Sequence, residues 1–319
     1  MSIPTVFMFS GQGSQYHQMG RDLFDNDAMF RESMIRLDGI ASELLGESVI
    51  DAIYSAGREK VFDRTLMTHP AIFMVEYALA QCLIRRGLEP DMTLGSSLGS
   101  FAAATVAGYL DEETALAIVI KQAVAFEACC APGSMIAVHG SPRLCEEVLA
   151  ERSELAGVNF IDNHGLPHFA VSAIDADLPD IEAGLRERNV THQRLPVSFA
   201  YHSRWIDEAR TPFESFLRSG FRVRPRATGR LPLACCEQAT VLTSLPEDFF
   251  WRVVRGSIRF PETLALLERS GPHRYIDVGP SGTLANFVKY GLPANTGSIA
   301  LPTMTPFGQA RKNIAVLFQ

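Results

Sequence analysis

Apolar and polar positions near the start of the chain follow the pattern of a strand that leads into helices. Thr5–Phe9 is a short apolar run with β-branched residues that ends at Ser10-Gly11, which predicts a buried strand followed by a turn. The same criteria predict helices at about 30–45 and 70–85, a strand at 92–95, a small apolar helix at 98–108 and a helix at about 111–128. Strands that alternate with helices indicate an α/β domain with a parallel sheet.

The pattern changes between residues 133 and 199, where short strands and charged helices follow one another in a different order. Strands are predicted at 134–139, 157–160, 169–173 and 191–195, with helices at about 142–152 and 179–188. This β-α-β-β-α-β order is the ferredoxin-like pattern. We therefore expect residues 133–199 to form a subdomain inserted into a catalytic domain made of residues 1–132 and 200–319. The α/β pattern resumes with a helix at about 202–219, a strand at 275–278 and a last helix after Gly282.

The composition is that of an ordinary globular protein, and it excludes several function classes. Of 319 residues, 47% are apolar and 20% charged, and the net charge is −7. The acidic balance and the absence of a basic stripe argue against a nucleic-acid partner. No segment is long and apolar enough to span a membrane, and the first residues lack the features of a signal peptide. The six cysteines fit neither a metal-binding nor a disulfide spacing. Together these features favour a cytoplasmic protein.

The sequence Gly95-Ser96-Ser97-Leu98-Gly99 is a G-x-S-x-G motif between a predicted strand and a predicted helix. A serine nucleophile on a sharp strand-to-helix turn needs glycine on both sides, because side chains there would collide with neighbouring backbone. The turn exposes the Ser97 hydroxyl at a helix N-terminus, where peptide dipoles favour negative charge. The alternative is a serine in a glycine-lined turn without catalytic function. Ser96 is a weaker candidate, since its position points away from the tip of such a turn.

A glycine-rich loop, residues 10–15 (SGQGSQ), follows the first strand directly. Its glycines allow the backbone to pass close to a ligand, which places Gln12 near the serine turn. The loop has neither the ending of a P-loop nor the GxGxxG spacing, so phosphate binding is not predicted, and a flexible loop is the alternative. The spacing of His164 and His168 would suit a metal, but no third ligand follows. No metal site is therefore predicted.

Five motifs together resemble a known family. FSGQGSQ, THPAIF, GSSLG, YHS and DVGPSG begin at residues 9, 68, 95, 201 and 277, in the order found in malonyl-CoA:acyl-carrier-protein transacylases. The resemblance covers nearly the whole chain. It is strongest to the discrete acyltransferase homologues and acyl hydrolases of trans-acyltransferase polyketide synthase clusters. It implies an α/β-hydrolase-like core with a ferredoxin-like insert, in agreement with the predicted elements.

The resemblance also implies roles for individual residues. Ser97 would be the nucleophile and His202 its general base, oriented by a backbone carbonyl near Gly256. The backbone N–H groups of Gln12 and Leu98 would form the oxyanion hole. Residues expected to line the substrate pocket are Gln122, Phe199, Asn163 and Tyr201. No cofactor is implied beyond the phosphopantetheine that carries the substrate, and the partner would be an acyl carrier protein domain of a polyketide synthase.

One position departs from the malonyl-transferring pattern. Those enzymes hold the substrate carboxylate with an arginine 25 residues after the serine, where this chain has Gln122. An arginine offers a charged, bidentate partner, whereas glutamine carries no charge, so a dicarboxylic acyl group should be a poor substrate. Ser96 and Phe199 stand where malonyl-selective members carry histidine, and Ser100 stands where they carry glutamate. These departures match the acyl hydrolases that remove stalled acyl groups from carrier proteins.

Two alternatives remain open at this point. The chain could be an acyltransferase that moves a neutral or malonyl group between CoA or carrier-protein thiols. It could also be a module that binds carrier protein without catalysing a reaction. An acidic carrier protein would dock on arginines, and the candidates form two groups: Arg222, Arg224, Arg226 and Arg230, or Arg252, Arg255 and Arg259.

Overall fold

The computed structural model describes residues 3–141, 143–144, 151–162, 164–218, 226, 228–293 and 295–319. The strands are Thr5–Phe9 (β1), Met92–Gly95 (β2), Gly133–His139 (β3), Glu154–Ile161 (β4), Pro167–Ile174 (β5), Thr191–Arg194 (β6), Leu233–Cys235 (β7), Thr240–Leu242 (β8), Ile258–Arg259 (β9), Arg274–Asp277 (β10) and Ile299–Pro302 (β11). The helices are Arg21–Asn26 (α1), Ala28–Leu45 (α2), Val49–Tyr54 (α3), Thr65–Arg85 (α4), Gly99–Val106 (α5), Glu112–Cys129 (α6), Leu178–Glu187 (α7), Arg210–Arg218 (α8), Phe249–Arg255 (α9), Phe260–Glu268 (α10), Thr283–Gly291 (α11) and Ala310–Val316 (α12). Arg204–Ala209 is a 3₁₀ helix.

A six-stranded sheet forms the centre of the fold, with the strand order β11-β10-β1-β2-β7-β8. All its pairings are parallel except the one between β7 and β8. The carboxyl ends of β1 and β2 lie side by side, because Phe9 pairs with Gly95. The loop after β1 and the turn after β2 therefore emerge at the same edge of the sheet, which is where open α/β sheets bind ligands.

Side chains of β1 alternate between the two faces of this sheet, as the pleat requires. Phe7 and Phe9 pack into an apolar core with α2, α4, α5 and α6. Val6 and Met8 pack into a second core with α10 and α11 on the other face. All four side chains are fully buried. The sheet is thus covered by helices on both faces, as expected for a sheet of parallel strands.

A second sheet lies in the middle of the chain, with the strand order β6-β3-β5-β4-β9. Residues 133–194 supply its first four strands, which pair antiparallel, and α7 packs against it through Leu178, Ile181 and Leu185. The order of these four strands is that of a ferredoxin-like sheet. Strand β9 comes from the later part of the chain and pairs with β4 in parallel. The predicted α/β fold with a ferredoxin-like insert is confirmed, whereas its division at residues 133 and 199 stays a prediction.

Several predicted elements differ from the observed ones. The helix predicted at 70–85 begins at Thr65, so Pro70 lies inside α4 rather than at its start. The single helix predicted at 202–219 is instead a 3₁₀ helix followed by α8. Pro212 has no N–H to continue a helix, and it is tolerated in the first turn of α8. The helix after Gly282 is not the last, because α12 follows it. The helix predicted at 142–152 falls mostly outside the described residues. Within the described part of the chain, no helix is long and apolar enough to cross a membrane.

The turn after β2 is too closely packed to accept side chains at its glycines. A Cβ on Gly95 would lie 2.4 Å from Cα of Ser100, and one on Gly99 would lie 2.2 Å from the carbonyl oxygen of Phe9. These contacts are with backbone, which cannot rotate away as a side chain can. Glycine at both positions is what allows α5 to start directly against the end of β1.

We expect Gly99→Ala to lower the free energy of unfolding by about 1–3 kcal/mol or more, because the new methyl group overlaps backbone. Gly39 is the matched control, since it lies exposed in α2 with nothing within 4 Å of its Cβ position. Gly39→Ala should raise stability by about 0.5–1 kcal/mol through helix propensity. Urea unfolding followed by circular dichroism measures both. Equal stability of the two variants would contradict the packing argument.

Candidate active site

Ser97 sits at the tip of the turn between β2 and α5. Its φ angle is +53°, a left-handed conformation that non-glycine residues seldom adopt. The backbone N–H of Ser96 donates to the carbonyl of Phe9 at 3.0 Å, and this bond ties the turn to the end of β1. The Ser97 hydroxyl lies 2.7 Å from Nε2 of His202. This is the strained, exposed geometry of a nucleophile turn.

His202 is held by hydrogen bonds on its backbone and on its ring. It also has a positive φ, +59°, and its backbone N–H donates to the carbonyl of Val254 at 3.0 Å. Nδ1 lies 2.7 Å from the carbonyl oxygen of Gly256, at the end of α9. A carbonyl can only accept, so Nδ1 carries the proton and Nε2 is free to accept one from Ser97. Among the described residues no carboxylate takes part, so Ser97 and His202 have the geometry of a dyad, and their catalytic roles stay a prediction.

Burial sets the protonation state of His202. The side chain is almost completely buried, and this loss of solvation lowers its pKa from 6.5 to about 4. The bond to Gly256 acts in the opposite direction, and the nearby charge of Arg255 lowers the pKa further. His202 is therefore neutral at pH 7. A neutral imidazole whose Nε2 faces a serine hydroxyl has the geometry and the charge of a general base.

Two backbone N–H groups beside Ser97 are free to bind an anion. The N–H groups of Gln12 and Leu98 donate to no acceptor in the described part of the chain. Leu98 precedes the first residue of α5, where the helix dipole favours negative charge. Gly11 brings the loop close, because a Cβ there would lie 2.8 Å from Cβ of Ser97. The two residues predicted to form an oxyanion hole are thus brought together, although that role stays a prediction.

A cleft of about 240 Å³ runs between the two sheets and contains this dyad. It is lined by the buried residues Tyr201 and His202 together with Ser97 and the Gln12 loop. Side chains of the second sheet and of α11 line it as well: Asn159, His168, Gln193 and Phe287. Ser96 also lines the cleft, but Ser97 makes the hydrogen bond to His202.

The other residues predicted to line the pocket have different positions. Tyr201 does line the cleft, and its hydroxyl lies 3.0 Å from Oγ1 of Thr65. Phe199 is buried behind it, with ring centroids 6.2 Å apart. Gln122 is fully buried, and its Nε2 donates to the carbonyl of Phe250 at 3.1 Å. Neither Phe199 nor Gln122 is among the residues that line the cleft. Asn163 lies outside the described residues.

The sequence analysis did not assign several residues that lie near the cleft to the site. Asn159 and His168 lie on the adjacent strands β4 and β5, and the Asn159 amide contacts Nδ1 of His168 at 3.1 Å. His69 contacts the side chain of Gln12, and its position in the THPAIF motif was the available signal. His168 was considered only as a possible metal ligand with His164, and Asn159 gave no signal, because only strand pairing brings these two side chains to the cleft. Within the described ranges, no three His, Cys, Asp or Glu side chains are grouped to hold a metal ion.

A nucleophile turn on a largely parallel sheet, facing a ferredoxin-like sheet across a cleft, defines an enzyme of the acyltransferase class. The chain belongs to the acyl transferase domain family, whose model matches residues 6–314. Over 98% of its length it is 43% identical to the polyketide biosynthesis acyltransferase homolog BaeD of Bacillus velezensis, of which it covers 95%. It is 40% identical to the homolog PksD of Bacillus subtilis, with the same coverage.

Solved structures agree with this assignment. A loading acyltransferase from the avermectin modular polyketide synthase superposes with a TM-score of 0.86, at 25% identity over 98% of each chain. The family that the five motifs predicted is therefore confirmed.

The pH dependence of acyl-enzyme formation should reflect the buried state of His202. Protonation removes the base, and because burial lowers the pKa to about 4, activity should stay level from pH 8 to about pH 5.5 and be halved near pH 4. The rate of thiol release from a small acyl thioester measures this. Burial of neutral His202 also lowers the free energy of unfolding as pH falls below 6.5, so circular dichroism must accompany each point. A midpoint near 6.5 with the fold intact would contradict the assignment of a buried base.

Proposed function

We propose that the protein is an acyl hydrolase that removes acyl groups from acyl carrier protein in polyketide biosynthesis, through an acyl-Ser97 intermediate. The observation that carries the proposal is the state of Gln122. Its amide N–H is taken by the carbonyl of Phe250, and its Oε1 has no partner among the described residues. The amide cannot be reversed, since Oε1 would then face a carbonyl oxygen. Position 122 therefore supplies no positive charge that could pair with the carboxylate of a malonyl group.

The reaction begins with formation of the acyl-enzyme. Nε2 of His202 takes the proton of the Ser97 hydroxyl, and Oγ attacks the thioester carbonyl carbon. The N–H groups of Gln12 and Leu98 stabilise the oxyanion of the tetrahedral intermediate. When this collapses, the carbon–sulfur bond breaks, and the phosphopantetheine thiol leaves with the proton from His202.

Release of the acyl group follows the same steps with water in place of serine. His202 takes a proton from the water, the hydroxide attacks the ester carbonyl, and the oxyanion is again held by the two N–H groups. Collapse returns the proton to Oγ of Ser97 and frees the carboxylic acid. The acceptor would be a second thiol in an acyltransferase, which is the alternative function. The names of the Bacillus relatives favour acyl transfer as a class, and they agree with either acceptor.

The proposed partner is the acyl carrier protein. The candidate docking arginines differ in whether they already pair with a carboxylate. Arg252 pairs with Glu237 at 2.9 Å, Arg255 with Asp207 at 2.5 Å, and Arg259 with Glu262 at 3.5 Å. In these pairs, the positive charge that an acidic carrier protein would bind is already neutralised by a carboxylate of the same chain. Arg226 and Arg230 are exposed, and we prefer them for docking. Arg222 and Arg224 lie outside the described residues.

Incubation with acetyl-loaded carrier protein, followed by mass spectrometry, tests the function. We expect free acetate and regenerated carrier-protein thiol with water as the only acceptor, and no increase in rate when a second thiol is added. Ser97→Ala should abolish turnover, and the matched variant Ser96→Ala should keep it, because only the Ser97 hydroxyl bonds His202. A stable acyl-Ser97 that waits for thiol would establish an acyltransferase instead. Full activity of Ser97→Ala would refute the nucleophile assignment.

The wild-type protein should load malonyl more slowly than acetyl, and Gln122→Arg should shift this preference towards malonyl. A guanidinium that pairs with the carboxylate could contribute about 1.5–3 kcal/mol, or roughly ten- to a hundredfold in selectivity. Competition between acetyl and malonyl thioesters, with the mass of the acyl-enzyme as readout, measures the change. The control Gln122→Leu has a similar size and no charge, and it should gain nothing for malonyl. Equal loading of both groups by the wild type would remove the basis of the proposal.

A further inference from the structure

We propose that Glu76 is a positioning residue for the acylation of Ser97. Its carboxyl group anchors the glycine-rich loop, residues 10–15, and thereby sets the place of the Gln12 backbone N–H beside the nucleophile. The inference rests on the proposed acyl-Ser97 intermediate, but it does not depend on whether water or a thiol accepts the acyl group. Glu76 lies on α4 and is not among the residues that line the cleft, so it acts through the loop and not through contact with substrate.

The carboxyl group of Glu76 binds the first residue of the loop. The backbone N–H and the hydroxyl of Ser10 both donate to its Oε1, at 2.7 and 2.9 Å. Gly279 also packs closely on Ser10, since a Cβ on Gly279 would lie 2.2 Å from Oγ of Ser10. Two hydrogen bonds and this close packing thus fix the point at which the chain leaves β1.

Helix α4 holds the loop at a second point. Nε2 of Gln12 donates to Oγ1 of Thr68 at 2.9 Å and makes a short contact with Nδ1 of His69. His69 and Glu76 are about two helical turns apart, so they lie on the same side of α4. One side of a single helix therefore binds both ends of the segment 10–12.

The segment between these two anchors carries the groups that lie beside the nucleophile. A Cβ on Gly11 would be 2.8 Å from Cβ of Ser97, so the loop has no room to shift towards the serine. The backbone N–H of Gln12 donates to no acceptor in the part of the chain that the structure describes. An oxyanion donor acts only from hydrogen-bond distance of the developing charge. Loss of the anchor should therefore slow the reaction of bound thioester more than it weakens binding.

Burial makes Glu76 a neutral carboxylic acid. The side chain is fully buried, and this loss of solvation raises its pKa well above the usual value. The hydrogen bonds from Ser10 lower the pKa, and the nearby charge of Asp277 raises it. Oε2 has no partner among the described residues, so a negative charge on this carboxyl group would be unbalanced. Oε1 is therefore the carbonyl oxygen that accepts from Ser10, and glutamine offers the same oxygen at that place.

Acylation of Ser97 by acetyl-pantetheine tests the proposal, with the mass of the intact protein and the released thiol as readouts. Glu76→Leu removes the acceptor. It should lower the rate at saturating thioester about tenfold or more and leave KM within about twofold, because a displaced oxyanion donor is lost mainly in the transition state. Glu76→Gln keeps the accepting oxygen without a charge, and its rate should stay within about threefold of the wild type.

Ser10→Ala tests the same contact from the side of the loop. It removes the hydroxyl bond and keeps the N–H bond, so the saturating rate should fall about two- to tenfold. In the Glu76→Leu background, Ser10→Ala should have no further effect, because the partner is already absent. If Glu76→Leu does not fold, Ser10→Ala alone decides, and an unchanged rate of that variant overturns the proposal.

The control is Asp27→Leu. Asp27 is also a buried carboxyl group that accepts backbone N–H bonds, from Met29 at 3.1 Å and from Phe30 at 3.3 Å. It lies at the start of α2 and is not among the residues that line the cleft. Asp27→Leu should lower the midpoint of thermal unfolding and leave the saturating rate of acylation unchanged.

Four results would overturn the proposed role of Glu76. Glu76→Leu could fold and keep the wild-type saturating rate, or its loss could be confined to KM. Asp27→Leu could be slowed as much as Glu76→Leu, or Glu76→Gln could be as slow as Glu76→Leu. Absence of acylation in the wild type would instead refute the proposed function, so the two failures are distinguishable.

Discussion

The site depends on the close approach of two parallel strand ends. The carbonyl oxygen of Phe9 accepts the N–H of Ser96, and it lies where a side chain on Gly99 would be. This contact fixes the serine turn against the loop that carries Gln12. Because Gly11 lets that loop pass within van der Waals distance of Ser97, the nucleophile and the two free N–H groups share one small volume. Strand pairing in the sheet, rather than the turn alone, therefore positions the groups that act on the substrate.

Buried carboxyl groups anchor the same loop from beneath. The N–H and hydroxyl of Ser10 both donate to Oε1 of Glu76, at 2.7 and 2.9 Å. Burial raises the pKa of Glu76 well above its usual value and that of Asp277 to about 6. Asp277 accepts the N–H groups of Gly279 and Ala285, which holds the start of α11 against the sheet. These buried hydrogen bonds thus support the turn at Ser97. A strained, positive φ persists only where the surrounding structure holds the backbone in place.

Burial away from water sets the pKa values of two histidines at or near the site. The pKa values of His202 and His69 both fall because a buried imidazole loses the hydration that stabilises its charged form. The two rings have different partners. His202 faces a carbonyl and a hydroxyl, which leaves its Nε2 free to accept a proton, whereas His69 faces an amide and two aromatic rings. One physical effect thus keeps both imidazoles neutral at pH 7.

The sequence by itself determined the family and the order of the main elements, and it predicted the serine and the histidine that the structure places 2.7 Å apart. Glycines at fixed spacing and local periodicity are properties of neighbouring residues, so they can be recognised without a structure. Only the tertiary structure decided which backbone N–H groups are unpaired, and that His69 reaches Gln12 across 57 positions of sequence. It also decided that the Gln122 amide donates to the carbonyl of Phe250, and that Pro70 lies within a helix. These facts depend on packing between distant segments, and hydrogen bonds between such segments leave no periodic signal in the chain.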